Sequence, residues 1–372
     1  MKKIRIAYTI PNFDTAGSGI ALLKLAAGLD RNLFEPMIVC LHDRGDFFKK
    51  VVESGIPVHI YPYLSPLKPR LPFLHGVIRI ARFFRRLSPD IVFSYHYSAD
   101  FSEAVAARLA GCRFMYVKKN MGWYGPSMNQ WRIKTRLSNA ITVQNTDMMN
   151  DFFKNSNKAH LVSIGVDQAE FYPRPPDLAL RNELGLEDGG RVVLCVANLI
   201  EKKGIPVLIR AFSGSKHKAN SVLVIVGRNE TALWQGIKEL VREEGMEGRV
   251  IFTGMRPDVC RFFTIADLFV LASTGDEGAP IAIQEAMASG IPVVTTDTPG
   301  NRDQLRDLPS QLVPPSDVGA LREAIDRMLD MDEETRSEIS SKQLQIVGDR
   351  FSLENEVARH QEIYMQLMRR TR

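Results

Sequence analysis

The sequence predicts an α/β fold in which two parallel sheets, each covered by helices, form separate domains. The chain has 372 residues, which is long for one hydrophobic core and comfortable for two domains of roughly 100–200 residues each. Short apolar segments alternate with helical patterns along the whole chain, as is typical of parallel sheets wound by right-handed crossovers. Pro173, Pro175 and Pro176 exclude a helix or a central strand near the middle of the chain, so a linker is expected there.

The first half supplies the predicted strands of an N-terminal Rossmann-like domain over residues 1–168. Its strand-like segments are 3–10, 37–42, 58–61, 91–95, 114–118, 140–144 and 160–164. Helical stretches such as 18–29 and 100–110 lie between them. Arg5 interrupts the first apolar run and Pro11 ends it, so this run is interpreted as a strand and not as a signal peptide.

The second half predicts a C-terminal Rossmann-like domain over residues 191–351, after a linker at 169–190. Its strand-like segments are 191–197, 221–227, 249–253, 268–272, 292–296 and 311–313. Helical patterns such as 204–213 and 231–244 separate them. The two halves therefore repeat one architecture, a parallel sheet with helical crossovers.

Composition indicates a soluble globular protein. Apolar residues make up 45% of the chain and charged residues 24%, and we find no run of about 18 apolar residues that would span a membrane. The cysteines show no Cys-x-x-Cys pairing, so buried reduced thiols of a cytosolic protein are expected. We therefore expect a cytoplasmic protein, either fully cytosolic or peripheral on the inner face of the cytoplasmic membrane.

Charge is distributed unevenly along the chain. Residues 1–176 carry a net charge of +11 and the remainder −6, within a total of +5. A basic half indicates an anionic partner such as a lipid surface, a lipid diphosphate or nucleic acid, although a solvated face without a partner gives the same pattern.

The segment 73–86 is the most basic helical pattern of the first half. Apolar residues at 73, 74, 77, 80, 81 and 84 follow a helical period, and Arg79, Arg82, Arg85 and Arg86 fall largely on the other side. Two interpretations are open. The helix could lie on anionic lipid, or its apolar face could cover the sheet and leave its arginines in water.

Residues 277–303 hold the most informative pattern. Pro280 suits a first helical turn, and Gly290 with Pro292 ends the helix before a β-branched strand. Glu277 is therefore expected in the loop and Glu285 inside the helix. The backbone N–H groups of residues 279–282 would face outward at the positive helix end, which suits a phosphate. An ordinary acidic loop followed by a capped helix is the alternative.

The pattern Glu-Gly, then Glu-Ala-Met-Ala-x-Gly-x-Pro-Val, strongly resembles the signature of retaining glycosyltransferases of the GT-B fold, in the large fourth family (glycosyl transferases group 1). The resemblance implies two Rossmann-like domains whose parallel sheets face each other across a cleft. It also implies that Glu277 touches the sugar hydroxyls of a nucleotide sugar and that Glu285 binds the ribose. The backbone around Gly278, Ala279, Pro280 and Ile281 would lie against sugar and diphosphate, although Pro280 has no N–H to donate.

Further motifs carry the resemblance into both domains. Residues 163–167 resemble the junction motif Asn-Gly-Val-Asp with Ile164 in place of Asn, and the helix-rich segment 352–372 is expected to pack back on the first domain. Residues 196–204 resemble a segment in which an Arg and a Lys neutralise the diphosphate. Lys203 fits that Lys, with Lys202 as a competitor, whereas Asn198 replaces the Arg and brings no charge. Arg228 or Arg256 is a candidate to compensate.

The remaining candidate residues also follow from the resemblance. Gly17 and Gly19 match a glycine loop that faces the donor phosphates. His96 follows the predicted strand 91–95 and resembles a histidine that is common at this strand end in the family. Lys119 falls where many relatives place a catalytic-site histidine. Asp303 stands at the position of a usual Glu and is expected near the donor.

The expected activity is transfer of a sugar from a nucleoside-diphosphate sugar to an acceptor hydroxyl with retention, with the basic residues and helix ends replacing a metal. The catalytic candidates are Glu277, Lys203, Lys119 and His96. No cofactor, no metal and no nucleic acid partner is expected, and the acceptor is expected to be a sugar or a lipid-linked intermediate of envelope polysaccharide or lipopolysaccharide. A glycoside hydrolase is disfavoured because its two carboxylates flank an open groove. A nucleotide-sugar binding protein or an epimerase of the same fold is the alternative.

Overall fold

The structure is a computed structural model that describes residues 2–13, 16–45, 47–67, 70–122, 127–187 and 189–369. The chain divides into two compact units. Unit 1 comprises Met1–Gly165 and Leu353–Arg372, and unit 2 comprises Val166–Ser352. Both are α/β structures in which every described strand pairing is parallel, so the predicted fold class is confirmed.

The described residues of unit 1 form a seven-stranded sheet of order β3-β2-β1-β4-β5-β6-β7. Its strands are β1 (Ile4–Ile10), β2 (Phe34–Cys40), β3 (Val58–Ile60), β4 (Ile91–Ser94), β5 (Arg113–Lys118), β6 (Ala140–Val143) and β7 (Ala159–Leu161). Strand β2 begins earlier than predicted because it includes Pro36. That residue lies outside the pairing with β3, which joins Ile38–Cys40 to Val58–Ile60, and a proline is tolerated where a strand has one neighbour.

Helices cover both faces of this sheet. They are α1 (Ala16–Gly28), α2 (Phe48–Glu53), α3 (Arg70–Leu87), α4 (Ser102–Leu109), α5 (Met128–Leu137), α6 (Thr146–Phe153) and, from the end of the chain, α15 (Leu353–Arg369). Helix α15 packs on α1 so closely that a Cβ atom at Gly28 would lie 2.8 Å from Val357 Cγ2. The hydroxyl groups of Tyr8 and Tyr364 are hydrogen-bonded at 2.9 Å, which joins α15 to β1. Residues 370–372 of the predicted terminal segment lie outside the described residues.

In unit 2, the described strands form a six-stranded sheet of order β10-β9-β8-β11-β12-β13. They are β8 (Arg191–Val196), β9 (Ser221–Val226), β10 (Val250–Gly254), β11 (Leu268–Leu271), β12 (Val293–Thr296) and β13 (Leu312–Val313). The predicted strands 191–197, 221–227, 249–253, 268–272, 292–296 and 311–313 agree with these bounds to within one residue at each end.

The helices of unit 2 alternate with these strands along the chain. They are α7 (Leu178–Glu183), α8 (Ile205–Ser213), α9 (Trp234–Glu243), α10 (Val259–Thr264), α11 (Ile281–Ala288), α12 (Asn301–Leu305), α13 (Val318–Leu329) and α14 (Glu333–Ile346). Short 3₁₀ turns occur at Glu201–Lys203, Lys218–Asn220 and Pro309–Gln311, and a π-helix at Val347–Phe351. Residues 169–190, interpreted from sequence as a linker, belong to unit 2 and contain α7, whose first turn is capped by Asp177.

Helix α3 differs from its predicted amphipathic pattern. Its buried row is Val77, Ile80, Ala81 and Phe84 and begins only at Gly76, where a Cβ atom would lie 2.0 Å from Ser65 Oγ. Leu74, which belongs to the apolar pattern of this helix, is 53% exposed because it precedes this row. No helix in the described part of the chain is long and apolar enough to span a bilayer.

The strand order of each sheet reverses at one position. In unit 1 the chain moves outward in opposite directions from β1 and β4, and in unit 2 from β8 and β11. Ligands of doubly wound folds bind in the crevice outside the carboxyl ends of the strands at such a switch point. Ligand-binding residues are therefore expected in the segments that follow β1, β4, β8 and β11.

Candidate functional site

Unit 2 places its two signature carboxylates on different elements. Glu277 lies in the loop that follows β11, and Glu285 lies in the middle of α11. The sequence predicts Pro280 in the first turn of this helix. In the structure Pro280 lies immediately before the helix, with φ −64° and ψ 111°. Its extended ψ suits a helix N-cap, and its carbonyl accepts the N–H of Ile283 at 3.2 Å. The first N–H groups of α11 lack intrahelical acceptors and mark the positive end of the helix.

The Glu277 carboxylate is held by two lysines and a serine. Lys203 Nζ lies 2.7 Å from Oε1 and Lys202 Nζ lies 3.2 Å from Oε2. Ser273 Oγ donates a hydrogen bond of 2.9 Å to Oε1. The Glu277 side chain is only 5% exposed, whereas those of Lys202 and Lys203 are 45% and 16% exposed. The structure thus joins Glu277 to both of the lysines that the sequence left as competitors.

The backbone brings these groups together at two glycines. Gly204, which follows the turn Glu201–Lys203, has φ +61°, and a Cβ atom there would lie 1.9 Å from the Ala272 carbonyl oxygen. Gly300 has φ +82°, and a Cβ atom there would lie 2.3 Å from the Gly278 carbonyl oxygen. A side chain at either position would force the backbone segments apart. The two glycines therefore allow the lysine turn and the turn before α12 to pack against the Glu277 loop.

Asp303 lies in the first turn of α12 and is half-buried. Two neighbours on that helix fix the surrounding loops. Asn301 Nδ2 donates to Thr295 Oγ1 at 2.9 Å, and Gln304 Nε2 donates to the Pro280 carbonyl at 3.3 Å. Asn301 and Gln304 were missed in the sequence. Their position in the run Gly300–Gln304 after a strand was the available signal.

Asn198 has a positioning contact that the sequence did not predict. Its side chain is exposed, and its Oδ1 accepts the backbone N–H of Arg228 at 2.9 Å. Gly227 makes this possible, because a Cβ atom there would lie 2.2 Å from the Ala197 carbonyl oxygen. Asn198 therefore fixes the turn that carries the exposed Arg228 side chain. Arg256, the other proposed substitute cation, is paired with Asp258 at 2.8 Å and Glu183 at 2.6 Å.

In unit 1, His96 is part of a buried hydrogen-bond network. Its Nε2 lies 3.0 Å from Glu103 Oε2, and its Nδ1 accepts the N–H of Ser98 at 3.1 Å. Burial lowers the pKa of His96, so the neutral ring donates from Nε2 to Glu103. Burial opposes ionisation of Glu103, but the hydrogen bond from His96, the charge of Lys134 and the hydrogen bond from Thr9 outweigh it and lower the pKa of that carboxyl. The His96 side chain is 1% exposed, which suits a role in holding the strand ends together.

Lys119 is buried at the carboxyl end of the same sheet. Its Nζ donates to the Tyr95 carbonyl at 3.0 Å and to Ser18 Oγ at 3.3 Å. Ser18 Oγ in turn lies 3.0 Å from the hydroxyl of Tyr97, whose side chain is exposed. Burial holds the pKa of Lys119 well below its usual range. Ser18 and Tyr97 were missed in the sequence, although Ser18 lies between Gly17 and Gly19 and Tyr97 directly follows His96.

Two glycines open α1 beside Lys119. Gly17 is exposed, and a Cβ atom there would meet nothing within 4 Å, so its absence of a side chain leaves the helix end open. Gly19 is buried, and a Cβ atom there would lie 2.9 Å from Phe13 Cδ1. Only Gly19 is therefore required by packing.

Glu356 on α15 is a further buried acid in this region that the sequence did not single out. Its Oε2 accepts the N–H of Gly165 at 2.8 Å, and burial raises its pKa to about 8 while the charge of Lys119 opposes this shift. The described residues contain no group of three His, Cys, Asp or Glu side chains arranged to hold a metal ion.

Two family models match the chain. The model of glycosyl transferases group 1 matches residues 177–345, and the model of Glycosyltransferase Family 4 matches residues 15–170. The first match contains Lys203, Glu277 and Glu285, and the second contains Gly17, His96 and Lys119. Both halves of the chain are thus covered.

Individual proteins agree with these matches. Mannosylfructose-phosphate synthase of Agrobacterium fabrum is 33% identical over 165 residues, which is 41% of this chain and 36% of that protein. Lipopolysaccharide 1,2-N-acetylglucosaminetransferase of Salmonella typhimurium is 29% identical over 205 residues, 52% of this chain and 53% of that protein. The chain thus matches about a third to a half of the length of these relatives.

Solved structures share the fold of the whole chain. A glycosyltransferase from Rickettsia africae aligns over 100% of both chains with a TM-score of 0.88 and 18% identity. Anabaena HepE, in complex with UDP and glucose, aligns over 98% of this chain and 100% of its own with a TM-score of 0.83 and 20% identity. The chain therefore belongs to the glycosyl transferases group 1 family and has the GT-B fold.

Proposed function

We propose that this protein transfers a sugar from a nucleoside-diphosphate sugar to an acceptor hydroxyl, with retention at the anomeric carbon. The observation that carries the proposal is the contact of the buried Glu277 with Lys202 and Lys203, in the loop that leads to the N-terminus of α11. Two cations and a positive helix end suit a diphosphate, and a carboxylate beside them suits sugar hydroxyls. The carboxylate and the helix end come from the motif at 277–303, and the lysines come from the segment 196–204 that also resembles the family.

Each residue has a stated role in this proposal. Lys203, with Lys202, stabilises the negative charge that develops on the departing diphosphate, and the N–H groups at the start of α11 add to this. Glu277 holds the sugar hydroxyls and Glu285 the ribose hydroxyls. Arg228, on the turn fixed by Asn198, supplies the cation that Asn198 itself does not bring, and Asp303 assists near the donor.

We propose that this charge stabilisation needs no metal ion. Lysine side chains and a helix end provide positive charge at the place where a metal would otherwise act. The expected result is a transfer rate that EDTA leaves unchanged, measured beside a parallel reaction with added Mg²⁺. A rate that EDTA abolishes and Mg²⁺ restores would reject this part of the proposal.

Unit 1 is proposed to bind the acceptor. Among the relatives is a lipopolysaccharide N-acetylglucosaminetransferase, and the first half of the chain is strongly basic. Both features favour an anionic, lipid-linked intermediate of envelope polysaccharide or lipopolysaccharide. Lys119 and the exposed Tyr97 are the proposed contacts of the acceptor, whereas His96 acts by holding the strand ends in place.

Helix α3 favours contact with the inner face of an anionic membrane. Leu71, Leu74 and Ile78 are 78%, 53% and 39% exposed and follow one another at helical spacing. Arg82 and Arg86 continue the same row and are exposed. A row that changes from apolar to basic suits insertion beside lipid phosphates, with the arginines contacting the headgroups.

A transfer assay tests the proposal. The protein is incubated with UDP-, GDP- and ADP-sugars and a lipid-linked diphosphate saccharide, and the product is analysed by NMR for its anomeric configuration. We expect an α-linked donor to yield an α-linked product. Conversion of the donor to its epimer, or donor binding without transfer to any acceptor, would favour the alternative, an epimerase or a binding protein of the same fold. An inverted linkage would reject retention.

A further inference from the structure

The Glu277 carboxylate uses both of its oxygens on cations. Oε1 lies 2.7 Å from Lys203 Nζ and Oε2 lies 3.2 Å from Lys202 Nζ. In the proposed function these are the same ammonium groups that receive the diphosphate, and Glu277 is the group that receives the sugar. The cations and the carboxylate of the proposed donor site are therefore paired with each other.

A diphosphate cannot join this arrangement without changing it. Glu277 is an anion in direct contact with the cations that the diphosphate needs, and like charges at such distances repel strongly inside a poorly solvated site. Because Glu277 is nearly buried, the loss of both cations leaves its negative charge less well compensated until new hydrogen-bond donors replace them.

We infer that the donor binds by an exchange of ion pairs, in which the diphosphate takes Lys202 and Lys203 from Glu277 and the sugar hydroxyls become the new partners of the carboxylate. This inference rests on the proposed function. The exchange also discriminates between ligands. A nucleoside diphosphate without its sugar displaces Glu277 from the lysines but provides no sugar hydroxyls to hydrogen-bond with its carboxylate. Glu277 would thus favour the donor over the diphosphate product and assist product release.

Neighbouring contacts are suited to such an exchange. Lys202 is half-exposed and is able to turn toward solvent, whereas Lys203 is mostly covered. Ser273 Oγ still holds Oε1 when the lysines leave, so the carboxylate keeps its place. The backbone N–H of Thr274 donates to the Lys202 carbonyl at 2.9 Å, which keeps the two loops together while the side chains move.

Calorimetric titration of wild-type protein and Glu277→Gln tests the inference. The ligands are UDP, GDP and ADP, each beside its matching sugar nucleotide. The amide keeps the size of the side chain but removes the negative charge that pairs with both lysines. One of these diphosphates is expected to bind the wild type, and we expect it to bind Glu277→Gln about threefold to tenfold more tightly. This range is an estimate for removing one anion that pairs with two partly exposed cations. Sugar nucleotide binding gains less, so the preference for the donor falls.

Glu201→Gln is the matched control. It removes one negative charge from the short turn that carries Lys202 and Lys203, and the side chain of Glu201 is exposed and has no hydrogen bond or ion pair among those described. We expect its affinity for the diphosphate to change much less than that of Glu277→Gln. An equal gain in both variants would attribute the effect to net charge and would overturn the inference.

The outcomes separate the inference from the proposed function. If the wild type binds none of these nucleotides or sugar nucleotides, the proposed function fails. If the wild type binds and Glu277→Gln binds the diphosphate equally or more weakly, only the exchange fails. Should Glu277→Gln not fold, Glu277→Asp replaces it. The side chain of this variant is one methylene shorter and pairs less well with the two lysines, so the variant protein should also bind the diphosphate more tightly.

Discussion

Lys119 and His96 lie at the same end of one sheet and are expected to behave differently when substituted. Lys119 donates to Ser18, which contacts the exposed Tyr97, whereas His96 donates to the buried Glu103. One side chain is thus connected to the surface and the other is enclosed. The difference is measurable because loss of an enclosed hydrogen bond affects stability more than loss of a site contact does.

We predict that Lys119→Met lowers the transfer rate by about tenfold or more, since it removes a donor from the acceptor contacts. It is expected to cost less stability than His96→Ala, because burial already disfavours the charged amine that it removes. His96→Ala is predicted to lower the free energy of unfolding by about 2–4 kcal/mol, because Glu103 keeps its charge and loses its buried partner. Rate and urea unfolding measured on both variants check this. A stable His96→Ala with a large loss of rate would contradict the assignment.

Lys134 provides a pH-dependent prediction. It is fully buried and donates to the Ser98 carbonyl at 3.0 Å, and burial lowers its pKa from 10.5 to about 8. The folded state therefore loses its proton before the unfolded state does, so stability of the wild type rises with pH between about 8 and 10.5. Relative to Lys134→Met, we expect a gain of about 1–3 kcal/mol across this window.

Urea unfolding at several pH values checks the prediction for Lys134, with the exposed Lys154→Met as control. The control should follow the wild type throughout the window. A constant difference between wild type and Lys134→Met would show that the buried amine keeps its proton in both states.

At the scale of elements, the strands were predictable and their surroundings less so. Parallel strands covered on both faces are short apolar runs, and such runs stand out in the sequence. Strand β2 begins at Phe34, three residues before the predicted segment 37–42, and α7 follows the proline-rich segment that predicts a linker. Leu74 belongs to the apolar pattern of α3 but is exposed, because the sequence does not show where a helix first meets its sheet.

The glycine before α12 offers a prediction on the site loops. Gly300→Ala should lower the free energy of unfolding by roughly 2 kcal/mol or more. About 1 kcal/mol of this comes from the positive φ, and the rest comes from the contact of the new Cβ atom with the Gly278 carbonyl oxygen. Gly245→Ala is the control, because Gly245 has φ +65° and a Cβ atom there would meet nothing within 4 Å. Thermal unfolding and donor affinity check it, and equal losses in both variants would reject the contact as the cause.

Helix α3 gives the element-scale prediction on membranes. Substitution of Leu71, Leu74 and Ile78 by Ser should reduce sedimentation with vesicles of phosphatidylglycerol and phosphatidylethanolamine by about tenfold or more, since three exposed apolar side chains no longer insert. The control replaces Leu109, Leu161 and Leu178, which are also exposed, by Ser. Equal losses in both triple variants, or no binding by the wild type, would contradict membrane contact through α3.

At the scale of the whole molecule, the sequence predicted the repeated architecture and the family, and the structure added the contacts. Glu277 and Glu285 were recognisable because they lie in one short continuous motif, whose residue order is visible in the sequence. The link from Lys203 to Glu277 and that from Lys119 to Ser18 join residues far apart in sequence, and they depend on the strand order of each sheet. Local patterns do not contain that order, so Ser18, Tyr97, Asn301 and Gln304 were missed.

The most direct test of the central claim is whether unit 2 binds a nucleoside-diphosphate sugar through its signature carboxylates. UDP-, GDP- and ADP-sugars are screened for thermal stabilisation of the wild type, Glu285→Ala and the control Glu323→Ala, whose side chain is exposed within α13. We predict that one donor class raises the melting temperature of wild type and control by about 2–4 °C and leaves Glu285→Ala unchanged. Stabilisation that persists in Glu285→Ala, or no stabilisation by any donor, would contradict the assigned site.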